Sequence, residues 1–272
     1  MKKKKILLGI LVTTFAIGLT ACGSKTESKH EYTVGVVSDA DNLIWEEVAK
    51  NLKDEGITLK TEEFSDYNTP NDALEDGSID LNAFQHVAFM DNFNKEKDGN
   101  LVSIGYTYVS PLGLYSKKIK NYKDLKDGDT VAIPNDVTNE GRAIQLLAAI
   151  DVLTLKDTKV ESPSLKDIAS YKKKIKIKEL DAAQIPTVLE DVDAGIINTN
   201  YAVDSGLSPK EDALYVDTDN LSKVGDIYKN VIAVTSKNKD KEDFKKIVKA
   251  YQTKKVAELI SKTSDGNNVP AW

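Results

Sequence analysis

From Tyr32 onward, short β-rich runs alternate with stretches whose apolar residues recur at helical spacing. This alternation restricts the chain to an α/β fold built on largely parallel sheets. Tyr32–Val37 predicts a strand, and Ile44, Val48 and Leu52 then follow at four-residue steps on a helix that Asp39 or Asp41 can cap. Ile57–Phe64 alternates as a strand, and Tyr67-Asn68-Thr69-Pro70 opens a short helix. Further strands are expected at Ile79–Phe84, Leu101–Val109, Leu112–Ser116, Thr130–Ile133, Ile175–Leu180, Gly195–Asn198, Leu214–Val216 and Asn230–Thr235. Helices are expected near Gln85–Lys97, at Thr138–Ile150 and at Ala182–Asp191. A final amphipathic helix carries Phe244, Ile247, Val248, Tyr251, Val256, Leu259 and Ile260 on one face.

Two segments echo each other. Ala73–Asn82 (ALEDGSIDLN) and Val188–Asn198 (VLEDVDAGIIN) each read as a helix end, an acidic turn, a short strand and an asparagine. They lie too far apart for a solenoid period, so they indicate two similar α/β lobes, or else a chance match at a common helix-end sequence. Ligands of open α/β sheets lie beyond the carboxyl ends of the strands. Both echoes end there in polar or aromatic residues, Asn82–His86 and Asn198–Tyr201.

Ahead of this pattern stands a leader. Lys2–Lys5 form a positive start, and the apolar stretch Ile6–Leu19 is shorter than the roughly 20 residues that span a bilayer. It ends in Leu19-Thr20-Ala21-Cys22, which resembles a bacterial lipobox. The single cysteine of the chain falls at the one position where lipidation needs it. Residues 1–21 are therefore expected to be a signal peptide. Residues 22–31, with His30 solvated among them, are expected to be a lipidated polar tether on the extracytoplasmic face of the cell membrane.

The formal charge is −6, and losing the leader removes four positive charges from it. So acidic a chain is ill suited to nucleic acid. One cysteine precludes an intramolecular disulfide, and two histidines leave little for a metal site or a histidine relay. No nucleophile elbow, HExxH, phosphate-binding loop or dinucleotide fingerprint is present. No catalytic residue, metal or cofactor is expected.

Arg142 is the only arginine among 37 basic residues. A chain this biased to lysine suggests that arginine is kept where a planar fork is needed, as for a carboxylate, although a surface ion pair would also accept it. With Thr138 as N-cap, Arg142 falls near a helix start, where free N–H groups favour an anion, and Gly141 beside it permits close approach. His86 reads as a ligand contact or as a satisfied structural histidine. Tyr67, Phe84 and Phe89 read as pocket wall or as ordinary core. Asn200 and Asn230 each stand at the end of an apolar strand, where an amide can both accept from an ammonium and donate to a carboxylate.

Asn82–His86 (NAFQH), Ser110–Ser116 (SPLGLYS), Asn135–Leu147 (NDVTNEGRAIQLL), Ile197–Ala202 (INTNYA), Asn230–Val234 (NVIAV) and Val269–Trp272 (VPAW) together resemble the MetQ/NlpA family of substrate-binding lipoproteins. The resemblance runs over essentially the whole mature chain. It implies an α/β fold of the two-lobed periplasmic-binding-protein type (type II-like), each lobe a mixed, largely parallel sheet flanked by helices. One lobe would comprise residues 32–109 plus 217–272, and the other 110–216. It also implies that Arg142 holds a ligand carboxylate, that Asn200 and Asn230 bind its backbone polar groups, that Asn139 contacts the ligand, and that Tyr67, Phe84, His86 and Phe89 line the side-chain pocket. Phe89 stands where the family usually has tyrosine. The function implied is capture of L-methionine, or a closely related amino acid, by a monomer that delivers it to a membrane permease and its ATPase. A methionine-containing dipeptide or another apolar amino acid is the alternative ligand; surface adhesion or signalling is the alternative role.

Overall fold

The computed structural model describes residues 30–217 and 225–272. The leader, Cys22 and the tether as far as residue 29 lie outside the described residues. Two mixed sheets organise the chain. The first has six strands, β1 (Glu31–Val36), β2 (Thr58–Glu63), β3 (Leu81–Asn82), β4 (Leu101–Val109), β12 (Lys229–Thr235) and β13 (Val269–Pro270), in the order β13-β4-β12-β3-β1-β2. The second has five, β5 (Leu112–Tyr115), β6 (Thr130–Pro134), β9 (Lys176–Leu180), β10 (Ala194–Asn198) and β11 (Tyr215–Val216), in the order β11-β5-β10-β6-β9. A small hairpin, β7 (Leu153–Leu155) with β8 (Ile168–Tyr171), stands apart. The chain passes between the sheets at Ser110-Pro111 and returns after Val216.

Parallel pairing is confined to one half of each sheet, β2-β1-β3 in the first and β9-β6-β10 in the second. The crossing strands run the other way: β12 and β5 pair antiparallel with their neighbours, which makes the sheets less parallel than the alternation of elements predicts. The two echoing segments lead into β3 and β10, and each is an inner strand of its sheet.

Helix α1 (Asp39–Leu52) packs on the first sheet together with α6 (Glu242–Tyr251) and α7 (Lys254–Thr263). Trp45, Val48, Phe244, Ile247 and Val256 bury there against Val34, Val36, Ile232 and Val234. On the opposite face α2 (Pro70–Asp76) and α3 (Val87–Lys97) bury Leu74 and Met90 against Val231 and Ala233. Helix α4 (Val137–Ala149) supplies Ala143, Ile144, Leu146 and Leu147 to the core of the second sheet. A further apolar cluster joins the two sheets, placing Val37 and Phe84 with Tyr115, Ile197 and Tyr201.

Several local expectations change. Ser38, not Asp39 or Asp41, caps α1, accepting from the Asp41 amide, and Asp136 rather than Thr138 caps α4. The expected helix over Ala182–Asp191 is two 3-10 turns, 182–184 and 186–188, because Pro186 has no N–H to continue the ladder. The C-terminal helix divides at Gln252-Thr253, where extended Thr253 accepts from the Val256 amide and starts α7 anew. The strand expected at Ile79–Phe84 contracts to two residues. His30 is exposed but not free, since its Nδ1 lies 2.5 Å from Asp243. Among the described residues no helix is long and apolar enough to cross a membrane.

Candidate functional site

The carboxyl ends of β1, β3, β6 and β10 converge from the two sheets on one cavity. The residues expected at a ligand pocket all line it: Tyr67, Phe84, His86, Phe89, Asn139, Arg142, Asn200 and Asn230. These come from both sheets, so the cavity belongs to the cleft between them.

Arg142 lies in the second turn of α4, beyond the helix start itself. The first turn already faces an anion of the protein: the Asp136 carboxylate accepts from the Asn139 amide, the Asn139 side chain and the Thr138 hydroxyl. Gly141 does allow a close approach, but to the protein: a Cβ there would stand 2.7 Å from the Ser162 backbone. The guanidinium is buried. Its Nη2 donates to the Ser110 carbonyl at 3.0 Å and to Asp217 Oδ2 at 2.9 Å, which engages both of that nitrogen's hydrogens. The guanidinium carbon lies 4.7 Å from the centre of the Tyr228 ring. Nε is buried with no hydrogen-bond partner.

His86 is the N-cap of α3, and its Nδ1 accepts from the Phe89 amide at 3.1 Å. That bond fixes the tautomer: an accepting Nδ1 leaves the proton of the neutral ring on Nε2. Burial, reinforced by the nearby Arg142 charge, pushes the imidazole pKa down to about 3, so the ring is neutral. Nε2 is buried and has no partner in hydrogen-bonding geometry, although the Asn139 amide lies beside it. Asn139 instead accepts from Asn198 Nδ2 at 3.2 Å, which leaves Asn198 Oδ1 buried and unpartnered. Two donors and one acceptor without partners therefore belong to residues of a single cavity.

Asn200 bridges the cleft. Its Oδ1 accepts from the Tyr67 hydroxyl and its Nδ2 donates to the Val37 carbonyl, both partners belonging to the side of the first sheet. It sits at the start of α5 (Thr199–Asp204), whereas Asn230 enters β12 beside His86, with which it forms an isolated bridge. Tyr67, Phe84 and Phe89 form an aromatic wall with ring centres about 6 Å apart, and Tyr201 packs 4.8 Å from Tyr67.

Four contributors escape a reading from sequence. Asn198 closes the β10 echo, yet nothing in the sequence separates its role from that of Asn200. Tyr228 precedes β12, has the Arg142 guanidinium over its ring and meets His86 edge to face. Asp217 is one of many acidic residues. Asp41 lines the cavity from α1 and accepts from Ser38 and Tyr108, and burial away from any cation raises its pKa to about 6.

Two mixed α/β sheets joined by crossings, with a polar and aromatic cavity at their facing strand ends, define a two-lobed binding protein of the periplasmic type. The chain matches the NlpA lipoprotein family model over residues 32–272, and it belongs to that family. It is 39% identical to the D-methionine-binding lipoprotein MetQ of Escherichia coli K12 over 268 residues, 97% of this chain and 96% of that one. Among solved structures, a nutrient-binding protein of Burkholderia cenocepacia bound to methionine is 44% identical with a TM-score of 0.83, covering 89% of this chain and all of that one. Protein PG110 of Staphylococcus aureus is 39% identical with a TM-score of 0.84, covering 88% and 94%.

Proposed function

We propose that this protein is the extracytoplasmic receptor of an ATP-driven importer, held to the membrane by a lipid on Cys22, and that it captures L-methionine as a monomer. The observation that carries this reading is the set of unpartnered buried atoms at the cavity. Arg142 Nε–H and His86 Nε2–H are donors suited to a carboxylate, and Asn198 Oδ1 is an acceptor suited to an ammonium. Left unpaired, such groups cost about 1–3 kcal/mol each, and an α-amino acid supplies both complements. Asn139, Asn200 and Asn230 border the same space. The Tyr67, Phe84 and Phe89 wall removes water from an apolar side chain and gives a thioether favourable sulfur–aromatic contacts. Family likeness to a methionine-bound structure points the same way.

The mechanism is capture and release without covalent chemistry. An open cleft admits the zwitterion, and closure brings Asn200 against Tyr67 and Val37 and buries the ligand. Lobe 1 (32–109 and 217–272) and lobe 2 (110–216) are the bodies that move. Native mass spectrometry of protein purified without stripping tests the reading, with titration of the ligand-free protein by both methionine enantiomers, leucine and glycyl-methionine. A co-purified mass equal to methionine supports it. Tenfold tighter binding of glycyl-methionine replaces the free amino acid by a dipeptide.

A further inference from the structure

Arg142 carries the positive charge of the cavity lining, because His86 is held neutral. That charge is already balanced. Asp217 stands behind the guanidinium, outside the cavity, and the two form an ion pair with side chains 3% and 4% exposed. Asp217 is itself fixed at three points. Its Oδ2 accepts from Arg142, its Oδ1 accepts from the Leu112 amide at 2.7 Å, and its own amide donates to the Leu112 carbonyl at 3.0 Å. Ser110 and Asp217 mark the two passages of chain between the sheets, so the guanidinium is tied to both. Its Nη2 edge is thereby turned to the protein. The lining also holds a second acid, Asp41, whose oxygens accept from Ser38 and Tyr108 and pair with no cation among the described residues.

We propose that Asp217 is a positioning residue that cancels the Arg142 charge, so that the cavity accepts ligands of zero net charge and rejects net anions. This rests on the amino-acid reading above and adds the basis of its charge selectivity. A zwitterion brings its own ammonium and leaves the buried charge sum unchanged. A net anion would add a negative charge to an already neutral buried pair, with no further cation among the described residues of the lining to receive it. The selection is thus exercised by a residue that does not border the cavity.

The test compares methionine with its 2-hydroxy analogue, in which a hydroxyl of similar size replaces the ammonium and leaves a net anion. Affinities are measured by calorimetry on ligand-free wild type, Asp217→Asn and Asp217→Glu, with Asp217→Ser replacing the Asn variant if that fails to fold. Wild type is expected to prefer methionine at least a hundredfold. The neutral variant should narrow that ratio at least tenfold, chiefly through better binding of the anion, while Glu should stay within threefold of the wild-type ratio. A purely structural Asp217 would weaken both ligands together and leave the ratio unmoved, and that result overturns the proposal. So does a wild-type ratio within threefold of unity. If methionine itself does not bind folded wild type, the amino-acid reading fails and takes this inference with it; methionine binding with an unmoved ratio removes the inference alone.

Discussion

Tyr67 donates its hydroxyl to Asn200 Oδ1 across the cleft, so an aromatic residue from the first sheet's side is latched to the first turn of a helix from the second. Asn200 donates in turn to the Val37 carbonyl at 3.3 Å, giving two bonds that exist only when the two sides are together. Side-chain groups that pair across a closing surface stabilise the closed form by their bond energy, about 0.5–1.5 kcal/mol each.

Tyr67→Phe is therefore expected to weaken methionine binding about three- to tenfold while keeping the aromatic wall intact. The loss should appear mainly in the dissociation rate, because the latch forms after capture. Stopped-flow tryptophan fluorescence separates the two rates, and an unchanged dissociation rate would count against the latch.

Arg142→Lys should weaken binding by about 2–5 kcal/mol, since a compact ammonium lacks the planar fork that turns one edge to Ser110 and Asp217 and leaves Nε free for a ligand carboxylate. Calorimetry giving an affinity within threefold of wild type would show that Arg142 does not hold the ligand.

Much of this site could be read in the sequence because its residues lie where strands end, and the order of strands and helices places those ends. Arg142 stood out by being the only arginine, and the NAFQH and INTNYA motifs located His86 and Asn200. Roles were harder to read than places. The fork of Arg142 is turned partly to Asp217 and Ser110, and Asn200 has both amide groups engaged, so the acceptor without a partner is Asn198. Such division of labour depends on contacts between residues far apart in the chain, such as Arg142 with Asp217, which neither periodicity nor spacing encodes. Local breaks had local causes that are legible in retrospect: Pro186 stops a helix, and Thr253 starts one.

Two buried groups at the cavity respond to acid in opposite directions. His86 has a folded pKa of about 3, below its ordinary 6.5, so its contribution is present above pH 6.5 and is lost as pH falls toward 3. Asp41 has a folded pKa of about 6, above its ordinary 3.8, so its contribution is full below pH 3.8 and is lost as pH rises through 6. Each slope is at most about 1.4 kcal/mol per pH unit, and between pH 6 and 4 they nearly cancel. Asp41→Asn should expose the histidine term and lower the Tm of ligand-free protein on going from pH 6 to 4, relative to wild type. His86→Asn, which keeps an N-cap for α3, should do the reverse. Variants whose Tm–pH curves run parallel to wild type would contradict both assignments.

Cys22→Ser should give a folded, binding-competent protein that is released from membranes. The described structure begins its sheet at Glu31, and among the described residues the core cluster of that sheet starts at Tyr32. Mutant protein that still sediments with membranes after a salt wash would mean that Cys22 is not the anchor.

Phe89 decides how dry the side-chain end of the cavity is. Its ring packs edge-on against Phe84 with centres 5.8 Å apart and against Tyr67 at 6.1 Å, and it presents no polar atom. The Tyr67 hydroxyl is engaged with Asn200, so it is not available to a ligand oxygen in this arrangement. A sulfoxide oxygen buried against such a wall lacks a donor and costs about 1–3 kcal/mol, roughly a 5- to 160-fold preference for methionine over its sulfoxide. Phe89→Tyr places a donor at the same wall and should narrow that preference by at least threefold, without changing methionine affinity by more than about as much. Competition binding of methionine and its sulfoxide to the ligand-stripped wild type and variant measures both ratios. Equal ratios would mean that Phe89 does not face the ligand's side chain, and would move the thioether to another part of the cavity.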